Sequence, residues 1–167
     1  MIFDWIKSLF PKKKKEMERI PSSDKWKHVE LWKDGDDLVL KNVKVTAFGG
    51  TNDKMDSGDT ASGISTKNPK VMGCALPRNY TGKSKANRDA LNGSPIPAKL
   101  PFKTLVEVTH GDETILVPFI DIGPAARTGA ALDLTVGAAK VFNAKATANN
   151  FKLTGAEARI IGGAKYL

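Results

Sequence analysis

Residues 118–142, PFIDIGPAARTGAALDLTVGAAKVF, bring an apolar run to an end on Asp121, place a Gly-Pro break directly behind it and set a second aspartate at Asp133. A carboxylate leaving a run of Ile, Leu, Val, Pro and Phe costs several kcal/mol to bury unless it is paired, hydrogen-bonded or put to use. Ordinary turn chemistry offers one reading, in which Asp121 caps the turn and Asp133 anchors the start of the following helix. That helix is expected over TVGAAKVFNA, residues 135–144, with Thr135 as its N-cap.

Outward from this stretch the pattern has period two and is rich in β-branched residues. KWKHVELW (25–32), DDLVLKNVKVTAFGG (36–50), KVMGCALP (70–77), KTLVEVTH (103–110) and TILVPFID (114–121) read as strands. KDGDD at 33–37 and HGDE at 110–113 read as hairpin turns supplied by Gly and Asp. A last strand is expected within EARIIGGAKY, 157–166, and a short helix near SKANRDALNG, opened by Ser84 and closed by Gly93. Closing so many short strands into a barrel removes exposed edges. The expectation is a mainly β chain with one or two short helices. Residues 1–23 form an amphipathic, basic N-terminal segment, 24–42 a leading hairpin and 43–167 the barrel domain.

The 167 residues, 41% of them hydrophobic, suffice for one sizeable core. Twenty-six Lys and Arg against eighteen Asp and Glu leave a net charge of +8, which favours an anionic partner. The single Cys74 excludes an intramolecular disulfide, and with two histidines it offers no zinc-type cluster, so neither a metal nor a cofactor is expected. Cys74 reads as a small buried hydrophobe, and His28 and His110 as surface positions. Trp26 and Trp32, six apart, are expected on one face of the first strand, packing the core or hairpin. Gly49-Gly50 is followed by neither G-K-[ST] nor G-x-G-x-x-G, so no nucleotide site is expected. With 7% aromatics and no stacking motif, no nucleic-acid partner is expected either.

MIFDWIKSLF, residues 1–10, spaces Ile2, Phe3, Trp5, Ile6, Leu9 and Phe10 in roughly helical fashion, and Pro11 and Lys12 to Lys15 follow. This is far short of the about 20 residues of a membrane span. A secretory signal would carry its lysines ahead of the apolar run, and here they come after it. Two expectations stand for residues 1–15: an interfacial helix on an anionic membrane, or a helix docked on the body or on a partner. Two long loops interrupt the strands, and loops of that length in a compact domain are usually functional or disordered. Residues 49–70 mix glycines with Asp53, Asp56, Asp59, Thr60, Ser62 and Thr66; residues 78–100 carry Arg78, Lys83, Lys85, Arg88 and Lys99, a possible wall for an anionic chain.

TAFGG (46–50), GDTASG (58–63), CALP (74–77), PFKTLVEV (101–108) and DIGPAARTGAALDLTVGAA (121–139) follow in order the landmarks of the double-psi β-barrel family. Over about residues 43–162 the chain resembles rare lipoprotein A-like proteins, the three-aspartate (3D) domain and the catalytic barrel of membrane-bound lytic transglycosylase A. The resemblance implies a six-stranded double-psi β-barrel behind an N-terminal amphipathic extension, with a groove that accepts glycan strands. It places Asp121 on the D-x-G aspartate that serves lytic transglycosylases as acid and then base, and Asp133 on the second aspartate, beside the first. Thr60 and Ser62 fall on the T-A-S-G hydroxyls; Thr46, Gly123 and Arg127 complete the implied substrate-binding set. Arg127, between the aspartates in AARTG, is placed either to hold a carboxylate of the muramyl side chain or to pair with Asp133. Two positions depart from the pattern. Leu76 stands before Pro77 where 3D proteins have a third aspartate, and the histidine of rare lipoprotein A-like and expansin-like relatives is missing.

The implied activity is that of a peptidoglycan lytic transglycosylase, which cleaves the MurNAc-GlcNAc bond without water and leaves a 1,6-anhydroMurNAc end. Such chemistry needs a carboxyl of raised pKa, and Asp121, ending an apolar strand near a second carboxylate, is the expected holder. The alternatives are a glycoside hydrolase using the same aspartate and a non-catalytic, expansin-like glycan-binding module. The expected partner is the glycan strand of the bacterial wall. With neither an export signal nor a lipoprotein cysteine near the start, the expected routes to the wall or periplasm are membrane pores made by another protein, as for a phage-type lysin, N-terminal membrane association, or a virion.

Overall fold

The computed structural model describes residues 16–50 and 53–167. Expectations for residues 1–15, the apolar segment and lysine run, lie outside them. Eight strands form one sheet: β1 (Glu18–Ile20), β2 (Glu30–Asp34), β3 (Asp37–Phe48), β4 (Cys74–Leu76), β5 (Leu105–His110), β6 (Glu113–Ile122), β7 (Leu132–Thr135) and β8 (Lys152–Ile160). Two helices accompany them, α1 (Lys85–Leu91) and α2 (Val136–Phe142). The sheet runs β1-β2-β3-β7-β4-β6-β5-β8, and β8 pairs back onto β3, closing six strands into a barrel. β1 and β2 continue the sheet from the first half of β3.

The pairing scheme carries an internal twofold. Exchanging β3, β4 and β5 for β6, β7 and β8 turns the parallel β3–β7 ladder into the parallel β6–β4 ladder. The same exchange turns antiparallel β3–β8 into antiparallel β6–β5 and maps β4–β7 and β5–β8 onto themselves. Each half is thus three strands with the same connectivity. The core between them is filled by Leu38, Leu40, Val43, Val45, Val106, Val108, Val117, Phe119, Leu132, Leu134, Ala156, Ala158 and Ile160, all essentially buried. At about 1.5–3 kcal/mol for each large apolar side chain removed from water, this is the principal stabilising term.

Local chemistry explains the elements. The two-residue turns Gly35-Asp36 and Gly111-Asp112 close the expected hairpins with Gly35 and Gly111 at positive φ. Ser84 and Thr135 cap the two helices, accepting from the backbone N–H of Asn87 and Ala138. β3 makes a bulge against β8 between Leu40 and Val43, where Asn42 takes the left-handed conformation that asparagine tolerates. Arg159 of β8 holds the β2–β3 hairpin through Asp34 at 2.9 Å and Asp37 at 3.1 Å.

Several expectations are corrected. The strand expected from Lys25 begins at Glu30, as β2, because Asp24–Trp26 form a 3-10 turn that drives Trp26 into the core, where its Nε1 donates to Asn92 O. Trp32 stays in β2 between Arg19 and Lys41, so the two tryptophans do not share a face. His28 is half-buried against Trp26, and burial lowers its pKa. α1 ends at Leu91, before Gly93. The last strand starts at Lys152 and stops at Ile160, and residues 163–166 coil into a 3-10 turn after Gly162. The second strand of the leading hairpin continues past residue 42, through the bulge at Asn42, as the first barrel strand.

Candidate active site

Registers across four neighbouring strands bring the two sequence-predicted carboxylates together. Thr46 pairs with Asp133, Asp133 with Ala75, and Ala75 with Asp121, so β3, β7, β4 and β6 contribute one row of side chains. The adjacent row, Ala47, Leu134, Cys74 and Phe119, belongs to the core. Because side chains alternate, the row with the aspartates faces away from the barrel interior. Ala75 between them leaves a trough. At about 4.8 Å per strand, the Cα atoms of Asp121 and Asp133 lie about 9–10 Å apart.

A β-bulge places Asp121 in that row. Between the pairs Cys74–Phe119 and Ala75–Asp121, β6 carries one residue more than β4, and the extra residue is Ile120. Without it Asp121 would share the inward face of Phe119; with it the strand turns and the carboxylate meets the trough. The backbone of the T-A-S-G turn fixes this end of β6, Ala61 N donating to Asp121 Oδ1 at 3.0 Å and Ser62 N to Ile120 O at 3.1 Å. Ile122 N also donates to Asp121 Oδ1, at 2.9 Å. One oxygen of Asp121 is therefore held by two N–H groups, while the other has no hydrogen bond among the described residues.

Asp133 is the more deeply placed member. Thr46 Oγ1 donates to its Oδ1. The Asp133 carboxyl is pushed up to about 6, chiefly by burial, with the Thr46 hydrogen bond opposing and the negative charges of Asp121 and Asp53 adding to the rise. Asp133 stands on β7, one of the two inner strands of the row. Thr135, two residues on, ties the neighbouring chain down: its hydroxyl donates to Val71 O and accepts from Gly73 N.

The trough opens into a cleft of about 200 Å³ lined by Phe48, Asp53, Met55, Asp56, Ala75, Asp121, Ile122 and Asp133. This is below the ~300–1,000 Å³ of pockets that enclose a small ligand, and the cleft is open to solvent, so it suits a chain lying across it. Asp53 and Asp56 come from the 49–70 loop. Asp53 accepts from Gly49 N and Met55 N, and Asp56 from Gly58 N and the Thr66 hydroxyl. No ion pair among the described residues neutralises any of the four carboxylates. No cluster that could hold a metal occurs among them either.

The remaining predicted residues are distributed as follows. Thr60 Oγ1 donates to Ile64 O at 2.6 Å and meets Ser62 Oγ at 2.9 Å, so both hydroxyls close their own turn, and the loop presents N–H groups to the site. Gly123 follows the row, donates to Leu76 O, and has φ +144, a conformation that favours glycine. Arg127 lies exposed on a 3-10 turn and forms no ion pair with Asp133. Leu76, directly before Pro77, is fully buried. Sequence reasoning did not assign Asp53, Met55, Asp56, Phe48 or Ile122 to the site. The aspartate-glycine texture of the loop was the available signal for the first three.

No protein-family model and no curated protein matches the sequence. Among solved structures, the Streptomyces papain inhibitor (SPI) is similar at 19% identity and a TM-score of 0.43, over 72% of this chain and 92% of that one.

Proposed function

We propose that the barrel is of the double-psi kind and that the chain cleaves peptidoglycan glycan strands as a lytic transglycosylase, with Asp133 and Asp121 as its acid and base. The twofold pairing scheme supports the first part. The observation that carries the second is the four-strand row setting two carboxylates across Ala75 in an open cleft, one of them raised to about 6.

The division of labour follows from the environments. Asp133, protonated below about pH 6, gives its proton to the glycosidic oxygen as the C1–O bond breaks. The C6 hydroxyl of the same sugar attacks C1, and Asp121 takes the hydroxyl proton through its free oxygen. Sequence reasoning gave both steps to Asp121; burial of Asp133 is the reason to divide them. The same paired carboxylates in an open cleft also fit one second reading, an inverting hydrolase, in which a water between the carboxyls takes the place of the C6 hydroxyl.

Purified sacculi are incubated with the wild type, Asp121→Asn and Asp133→Asn, and soluble products are identified by mass spectrometry. Anhydromuramyl ends from the wild type alone are expected. Reducing ends would replace the lytic reading by inverting hydrolysis. If nothing is released while all three proteins pellet with the wall, the chain is an expansin-like binding module.

A further inference from the structure

β3 keeps its alternation beyond Thr46. Ala47 turns into the core, and Phe48 returns to the face that carries Thr46 and Asp133, about 7 Å further along the strand. The Phe48 ring is half-buried, lines the cleft and lies outside the packed apolar core. Among the described residues it makes neither a ring–ring contact nor a cation contact. It is the one aromatic in a cleft that otherwise offers four carboxylates and three smaller apolar side chains. An aromatic face with convergent polar groups matches a ligand with an apolar face and a polar edge. A pyranose ring has both: its axial C–H bonds make one face apolar, and its hydroxyls ring the edge.

We propose that Phe48 is the positioning residue of this site, a platform on which one sugar ring of the strand stacks so that its glycosidic oxygen reaches Asp133. The inference rests on the glycan reading above and adds to it the side chain that holds a ring of the strand. Stacking fixes the height and tilt of the ring, and the hydroxyl edge turns toward Asp53, Asp121 and Asp133. The binding contribution is hydrophobic and dispersive, so it survives salt that would screen the carboxylates.

Phe48→Leu keeps an apolar side chain without the π face, and Phe48→Trp restores a face. Binding to soluble glycan strands and initial rates are measured for both in the full chain, with urea midpoints as a folding control. Phe48→Leu is expected to weaken binding and raise KM between about threefold and tenfold, with kcat less affected; Phe48→Trp should stay near the wild type. The added tryptophan should also change its emission when glycan saturates the cleft. Cleavage and binding by Phe48→Leu equal to the wild type would remove the platform and leave the glycan reading intact, as would a Phe48→Trp emission indifferent to glycan. A wild type that neither binds nor cleaves strands would remove the glycan reading, and the platform with it.

Discussion

Asp133→Asn should make the protein more stable at pH 8 while abolishing strand cleavage. The wild-type carboxyl ordinarily titrates at 3.8 and is pushed up to about 6 in the fold, chiefly by burial. Below pH 3.8 both folded and unfolded chains hold the proton, and the group costs nothing. Between 3.8 and about 6 the folded state keeps a proton that the unfolded state has released, so stability falls as pH rises. Above 6 the penalty is complete: the interval, at about 1.4 kcal/mol per pH unit, amounts to at most about 3 kcal/mol. Asparagine keeps an oxygen to accept from Thr46 and has no charge to bury. The variant should therefore gain up to about 3 kcal/mol at pH 8, or about 6–12 °C in Tm for a chain of this size, and almost nothing at pH 4. Urea unfolding of both proteins at the two pH values measures this directly. An equal difference at pH 4 and pH 8, or a variant less stable than the wild type at pH 8, would refute the burial reasoning.

Three further outcomes follow from the same row. Glycan release should fall as pH rises through about 6, and Thr46→Val, which removes the one contact that lowers the Asp133 pKa, should move that fall to higher pH; a limb displaced downward would contradict the assignment. Ala75→Leu fills the trough between the carboxylates, so release should drop by at least about 100-fold with the fold retained, as read by product analysis beside a circular dichroism spectrum. Cys74 is fully buried, and burial pushes its thiol up, so a thiol reagent at pH 8 should label it only as fast as the chain unfolds. Rapid stoichiometric labelling of the folded protein would show that β4 opens locally.

The legible part of the fold was local. Asp and Gly at the two hairpins, Ser84 and Thr135 at the helix starts, and the period-two runs around Val43-Val45 and Val106-Val108 act over a few residues, and each formed where its chemistry required. The pairing of β4 with β6 and β7 was not visible in that way, because parallel ladders join segments far apart in the chain and their register is set by packing. Trp26 shows the limit: alternation predicted a strand position, and the gain from burying a whole indole selected a 3-10 turn instead. The site divides along the same line. Asp121 and Asp133 stood out because a carboxylate in an apolar run is costly, and Thr46 came only with the family resemblance. Which aspartate sinks deeper depends on strand position in the barrel, and a linear reading had no access to that order.

Ile120 shows how closely the core and the cleft depend on each other. Phe119 and Ile120 are both fully buried, and two successive strand residues normally point to opposite faces. Phe119 belongs to the apolar core, whereas Ile120, the extra residue of the bulge, is buried outside it against Gly73, and Asp121 takes the next outward position. Space for Ile120 is provided by Gly73, just ahead of β4, where a Cβ would lie 2.5 Å from Ile120 Cδ1. Thr135 clamps that same glycine through its hydroxyl, and its neighbour across Leu134 is Asp133. The apolar packing of Gly73 against Ile120 therefore sets the face on which Asp121 emerges, and the polar clamp of Thr135 on Gly73 sets the strand beside Asp133. The placement of both carboxylates is in this way tied to the buried contacts that Gly73 makes with Ile120 and Thr135.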